Sequence, residues 1–185
     1  MNQLSIEPAK PKDKTLLFRL LQLYFFDSTH WSDEDLQEDG LYECDEEGLL
    51  MFFDSNERNR AYILRVNGKP AGLALVEDVP FEGKRISEFA DLFVLPKYRR
   101  LGLASAATTQ IVINSQNPWL FAIFRKDQEA MRYWQTAFKR LPFRSVRAAD
   151  DPAEDRFHLF VVNEQAIQQT QSTDWRSAPA LEVKN

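Results

Sequence analysis

The sequence predicts an α/β domain built on a mixed, twisted sheet, and three stretches carry that prediction. Arg60 to Val66 and Ala71 to Val76 are two branched, apolar runs joined by Asn67-Gly68, a strong signal for an antiparallel hairpin. Ile86 to Leu95 is a third such run, ended by Pro96 and followed by a basic turn and a helical pattern from Leu103 to Asn114. Trp119 to Phe124 (WLFAIF) is continuously apolar, as expected of a strand buried on both faces. A strand that returns after a helix belongs beside the strand that preceded it, so parallel and antiparallel pairing meet in one sheet.

The remaining elements follow in order. Leu4 to Ile6 reads as a short first strand before Pro8 and Pro11. Asp13 is placed to cap a helix running to about Phe26, with Leu16, Leu17, Leu20, Leu21 and Tyr24 on one face. Asp33 to Glu47 is crowded with carboxylates, and Ser32 or Asp33 is placed to start a short helix through Glu38. This acidic segment is either a solvated face or a cover that attracts an amine. Asp127 is placed to cap a helix from about Gln128 to Arg140, with Lys139 and Arg140 favourable at its end. Phe143 to Arg147 and Phe157 to Val162 form a last hairpin around an acidic loop. Residues 1–163 form one domain, and 164–185 form a polar tail or peripheral element in which Trp175 is a candidate anchor.

Composition limits the function. Cys44 is the only cysteine and no export signal opens the chain, which points to the cytoplasm. No apolar run is long enough to span a bilayer, so no membrane partner is expected. A net charge of −5 argues against a nucleic-acid partner. His30 and His158 stand alone, with no clustered ligands to suggest a metal.

The turn Lys97-Tyr98-Arg99-Arg100-Leu101-Gly102 is the chemically informative stretch. The first N–H groups of a helix lack intrahelical partners and attract phosphate. Gly102 frees the backbone to turn, Ala104 to Ala107 keep the first helical turn small, and Arg99 and Arg100 add charge. No Gly-Lys-Ser/Thr follows, which excludes a P-loop, and the spacing of a dinucleotide fingerprint is missing. A plain βα turn and an unrelated nucleotide site remain as competing readings.

Arg99-x-x-Gly102-x-Ala104, with Tyr98 before it, a strand ending Leu92-Phe93-Val94 and a helix behind, resembles the acyl-CoA-binding motif of the GNAT N-acetyltransferase superfamily. The element order from Leu4 to Val162 matches as well. The resemblance implies a GNAT-like mixed, twisted central sheet of about six to seven strands flanked by about four helices, splayed around the phosphate turn. It implies acetyl-CoA as co-substrate, no metal, an amine acceptor on a small molecule or peptide, direct attack in a ternary complex, and pairing of exposed hairpin edges in a homodimer. Acetyl-CoA would bind along Leu92, Phe93 and Val94 and over Arg99, Arg100, Leu101, Gly102, Leu103, Ala104 and Ser105. Asp91 and Glu88 are the candidate bases, on opposite faces of a regular strand unless a bulge lies between them. The helix after Asp127 departs from the superfamily pattern: Asp127 replaces the usual Asn and Trp134 the usual Tyr. Tyr133 is the candidate acid, turned from that position by about 100°. The departure keeps a second reading open, a catalytically weak acyl-CoA-binding sensor or interaction module.

Overall fold

A computed structural model of the chain describes residues 2–53, 58–115 and 117–165. Seven strands form one sheet: β1 (Leu4–Pro8), β2 (Arg60–Val66), β3 (Lys69–Phe81), β4 (Lys84–Val94), β5 (Trp119–Phe124), β6 (Val146–Ala149) and β7 (Phe157–Val162). Their order across the sheet is β1-β2-β3-β4-β5-β7-β6. Four longer helical elements flank it among the described residues. They are α1 (Lys14–Ser28), a 3-10 turn over Gly48–Phe53, α2 (Leu103–Thr108) continuing as a π-helix over Thr109–Ile113, and α3 (Gln128–Arg140). The fold is the mixed sheet expected from the sequence.

Strands β2, β3 and β4 form an antiparallel meander because the turns between them are short and preset, and β1 pairs antiparallel with β2 after the long connection through α1. Asn67 and Gly68 both have positive φ, the type I′ geometry that joins twisted strands, and Glu82 and Gly83 repeat it between β3 and β4. The second turn extends β3 to Phe81, past the Val76 expected from the sequence, because Glu77 to Phe81 find partners in Lys84 to Glu88. β5 then joins β4 in parallel, but only at Ser87–Trp119 and Glu88–Leu120. Beyond those pairs the two strands diverge and the sheet opens.

The core lies on both faces of the sheet. Leu17, Leu20 and Leu21 of α1 pack on Ile63, Leu73, Leu75 and Phe93. On the other face Leu103, Ala107 and Val112 meet Trp134 and Ala137 of α3 against Phe89, Trp119 and Phe121. Each fully buried side chain of this size stabilises the fold by about 1.5–3 kcal/mol.

Three local expectations change. No helix forms between Ser32 and Glu38, where a high density of like charges is opposed to few apolar contacts; the helical turn comes later, at Gly48–Phe53, where Leu49 and Phe52 reach the core. Asp13 sits at the α1 N-cap position but its carboxylate accepts from the Lys10 N–H at 2.9 Å, holding the preceding turn. The strand expected at Phe143–Arg147 begins only at Val146, since Phe143 leaves the sheet to pack on Phe121 and Phe138. Trp175 and most of the polar tail lie outside the described residues.

Gly72 marks the tightest approach in the sheet. A Cβ at this position would lie 2.1 Å from the Phe93 carbonyl oxygen, a clash with main chain that no rotamer relieves. Gly72→Ala is expected to cost about 1–3 kcal/mol of stability, read as a lower urea midpoint. An unchanged midpoint would show that β4 yields there without cost.

Candidate active site

The site is built where β4 and β5 part. The Leu95 N–H donates to the Ala71 oxygen at 2.9 Å. Strand alternation then directs the main-chain groups of Phe93 toward β3 and those of Leu92 and Val94 into the opening. With β5 absent on that side, Leu92 and Val94 present a main-chain edge to the cleft. Phe93 contributes its side chain to the α1 core instead and is 3 % exposed.

A cavity of about 770 Å³ runs from this edge across the basic turn. Gly102 has φ of 84°, and nothing lies within 4 Å of the position a Cβ would take. The first intrahelical bond of α2 runs from the Ala106 N–H to the Gly102 oxygen, so the amides of Leu103, Ala104 and Ser105 have no helical partner. The Leu103 side chain is buried in the core, leaving its main chain for the cavity. Arg100 holds a positive φ and is exposed, as is Leu101. Arg99 lines this cavity too and also holds the turn in place. Its Nε donates to the Val94 oxygen at 3.0 Å and its guanidinium pairs with Asp27, tying the turn to the end of α1.

Tyr133 lines the same cavity. Its hydroxyl is 3.5 Å from Ser105 Oγ, and burial raises its pKa against the opposing effect of hydrogen bonds to Ser105 and Thr108. Trp134, at the superfamily's usual Tyr position, is 8 % exposed and packs edge-on against Phe121 at 4.7 Å. Asp127 is committed to capping α3, accepting from the Ala130 N–H at 2.8 Å.

A second cavity of about 750 Å³ adjoins the first along Tyr24, Trp31, Leu92 and Trp134. Asp91 lines it, and Glu88 does not. The regular strand that would separate these two carboxylates is interrupted. Asp91 pairs with Leu75 and Glu88 with Glu77, so Phe89 and Ala90 together oppose Val76. This bulge brings Asp91, Glu88 and Glu77 to one face of the sheet, the face covered by α1. Burial raises the Asp91 pKa to about 6, with Glu77 adding repulsion and the Tyr24 hydroxyl bonding in opposition. Burial raises Glu88 to about 7, again with Glu77 and Asp91 contributing. Glu77 and Tyr24 were not singled out in the sequence. Glu77 lies past the expected end of its strand, and Tyr24 reads there only as part of an apolar face.

Of the acidic segment, Asp33 and Glu34 line the second cavity, whereas Asp35 and Glu38 line neither. Asp33 is paired with Lys126 at 2.6 Å. His30 lines the first cavity and His158 faces Arg125. No group of His, Cys, Asp and Glu among the described residues has the arrangement of a metal site, and no described helix is long and apolar enough to cross a membrane.

Comparison with known proteins agrees with this architecture. The chain belongs to the acetyltransferase (GNAT) family, whose sequence profile matches residues 17–138. Among solved structures, an acetyltransferase from Thermus thermophilus is similar with a TM-score of 0.59 and 18% identity, over 86% of this chain and 96% of that one. A GNAT acetyltransferase from Staphylococcus aureus has a TM-score of 0.62 and 11% identity, over 88% and 100% of the two chains. The ribosomal-protein-S18-alanine N-acetyltransferase of Escherichia coli has 0.53 and 16%, over 91% and 98%. At these identities the likeness is one of fold. No curated protein sequence matches the chain.

The carboxylate cluster makes stability depend on pH. Glu88 binds its proton more tightly folded than unfolded, so ionising it opposes folding as pH rises from about 4.5 to about 7. Glu88→Gln is expected to melt higher than the unsubstituted protein at pH 8 and to lose that advantage at pH 4. A constant difference at both pH values would remove Glu88 from the linkage.

Proposed function

We propose that the protein transfers an acetyl group from acetyl-CoA to a primary amine, with the two substrates held together in the adjoining cavities. The observation that carries this reading is the main-chain edge of Leu92 and Val94 lying between an open phosphate cradle at Gly102 and the carboxylate of Asp91. The diphosphate rests on the amides of Gly102 to Ser105, with Arg100 beside it. The pantetheine arm runs along the β4 edge, and the thioester lies where the two cavities meet.

The amine must be neutral to attack. Asp91, pushed up to about 6, is ionised at neutral pH yet basic enough to receive the amine's proton, directly or through a water. The amine lone pair forms the C–N bond at the thioester carbonyl, and the negative charge on that oxygen is met by the β4 amides. The C–S bond then breaks, and the electron pair leaves with sulfur. The Tyr133 hydroxyl, held protonated by its burial, returns a proton to the thiolate. Holding donor and acceptor in one geometry supplies much of the acceleration. Tyr133 lining the donor cavity favours this reading over a sensor without turnover, because a phenol remains available although Trp134 occupies the usual position.

Calorimetry with acetyl-CoA tests the donor site. Binding is expected for the unsubstituted protein and its loss in Gly102→Glu, which puts bulk and negative charge into the cradle; equal binding by both proteins would refute the cradle. Asp91→Asn and Tyr133→Phe are each expected to lower kcat about 10²-fold while acetyl-CoA still binds. In the unsubstituted protein kcat/KM should rise with pH through about 6. A rate untouched by either substitution would assign the proton transfers to water.

A further inference from the structure

The rim of the second cavity carries charges that the chemistry above leaves unused. β5 and β7 run antiparallel with Phe124 opposite Phe157, and one step further the Arg125 N–H donates to the Arg156 oxygen at 2.9 Å. Arg125 and Arg156 therefore stand opposite one another at the end of the ribbon, and both line the cavity. Like charges opposite one another in an antiparallel pair repel. Among the described residues neither arginine forms an ion pair with a carboxylate. Arg125 donates its Nε to the Asp155 carbonyl at 2.7 Å and lies 3.1 Å from His158 Nδ1, while Arg156 sits 5.6 Å over the Phe157 ring. Arg65, Arg85 and Arg147, on the other strands, each hold a carboxylate. Lys126 is matched by Asp33, so the unmatched positive charge lies with the two arginines.

At the other end of this cavity stands Asp91. Between the two ends the walls are aromatic: Trp31 lies 5.2 Å from Phe124, and Phe124 lies 5.5 Å from Phe157. Taking this cavity as the acceptor site, a reading on which the inference rests, we propose that the acceptor is bipolar. Its primary amine lies at Asp91, its carboxylate is held by Arg125 and Arg156, and an apolar or aromatic body spans the distance between.

The register gives the main-chain scale of that distance. Asp91 lies three residues past Glu88, and Arg125 lies five past Leu120, the partner of Glu88. Counted between main chains, an offset of two residues amounts to about 7 Å before the splay is added. The amine and carboxylate of a free α-amino acid are roughly 3–4 Å apart, shorter than that main-chain offset. The fitting class is an amine with its carboxylate several bonds away, either an ω-amino acid or a short peptide with a free C-terminus. A polyamine would bring a second ammonium against two guanidinium groups, so the acidic segment does not make this a polycation site.

A matched acceptor series, followed by thiol release from acetyl-CoA, tests the assignment. 6-Aminohexanoate is compared with 6-aminohexanamide and 1,5-diaminopentane, and Ala-Phe with Ala-Phe amide. The carboxylate-bearing member is expected to show about ten-fold or greater kcat/KM over its neutral and cationic counterparts, the scale of a charge-assisted hydrogen bond. The arm showing it distinguishes ω-amino acid from peptide. Arg156→Gln and Arg125→Gln should each raise KM for the favoured acid and collapse its preference over the amide, with Arg156→Lys keeping part of it. Calorimetric binding of acetyl-CoA reports that each variant is folded. Preference for the diamine or the amide, preference for the acid that survives in both glutamine variants, or no turnover of any member by protein that binds acetyl-CoA would overturn the bipolar acceptor alone. Failure to bind acetyl-CoA would overturn the acetyl-transfer reading and this inference with it.

Discussion

The parallel contact between β4 and β5 is confined to two residue pairs, and the remainder of the molecule is arranged around that brevity. Two strands of a continuous sheet would satisfy each other's main-chain groups along their whole length. Here the hydrogen bonds stop at Glu88–Leu120, and the groups of Leu92 and Val94 have no strand to meet. Such an edge is a liability in a folded protein unless something covers it or uses it. α2, α3 and the end of α1 surround the gap without filling it, and both cavities are the space they leave. The sheet supports the opening through its other connections, since β5 is paired along its length with β7 and β4 with β3.

Charge in the opening follows from the same geometry. The bulge at Phe89–Ala90 shifts the phase of β4 by one residue, so that Asp91, Glu88 and Glu77 share a face. Burial raises the proton affinity of all three carboxylates, Glu77 adds repulsion at both Glu88 and Asp91, and the Tyr24 hydroxyl offsets part of this at Asp91 alone. Asp91, the one of the three that lines the second cavity, is thus also the one whose ionised form has a hydroxyl donor. Arg99, itself lining the first cavity, holds the turn against α1 and the Val94 carbonyl, which leaves Arg100 and the open face of Gly102 to the solvent side.

Much of this was legible in the sequence, for reasons that can be named. Asn67-Gly68 fixes a turn by local chemistry, Asp127 caps α3 with its own side chain, and the strand–turn–helix around Gly102 is encoded within about twenty consecutive residues. The bulge was not legible: a run such as Ser87-Glu88-Phe89-Ala90-Asp91 has no local mark of an extra residue, and its phase is set by pairing with Leu75 and Glu77 far away in sequence. The employment of Arg99 was hidden likewise, because Asp27 reaches it from seventy-two residues away. Arg125 and Arg156 read as ordinary polar residues until β5 and β7 bring them together.

The distribution of labour between main chain and side chain has an evolutionary consequence. On the donor side of the proposed reaction the functional groups are amides, and a point mutation leaves them in place so long as the backbone path survives. On the acceptor side they are side chains at strand ends and in loops, where replacement disturbs little of the core. The two halves of the cleft are therefore free to diverge at different rates, one conserved as a shape and the other exchangeable residue by residue. Structures that share 11% to 18% of their residues with this chain while keeping its fold are what such a separation permits.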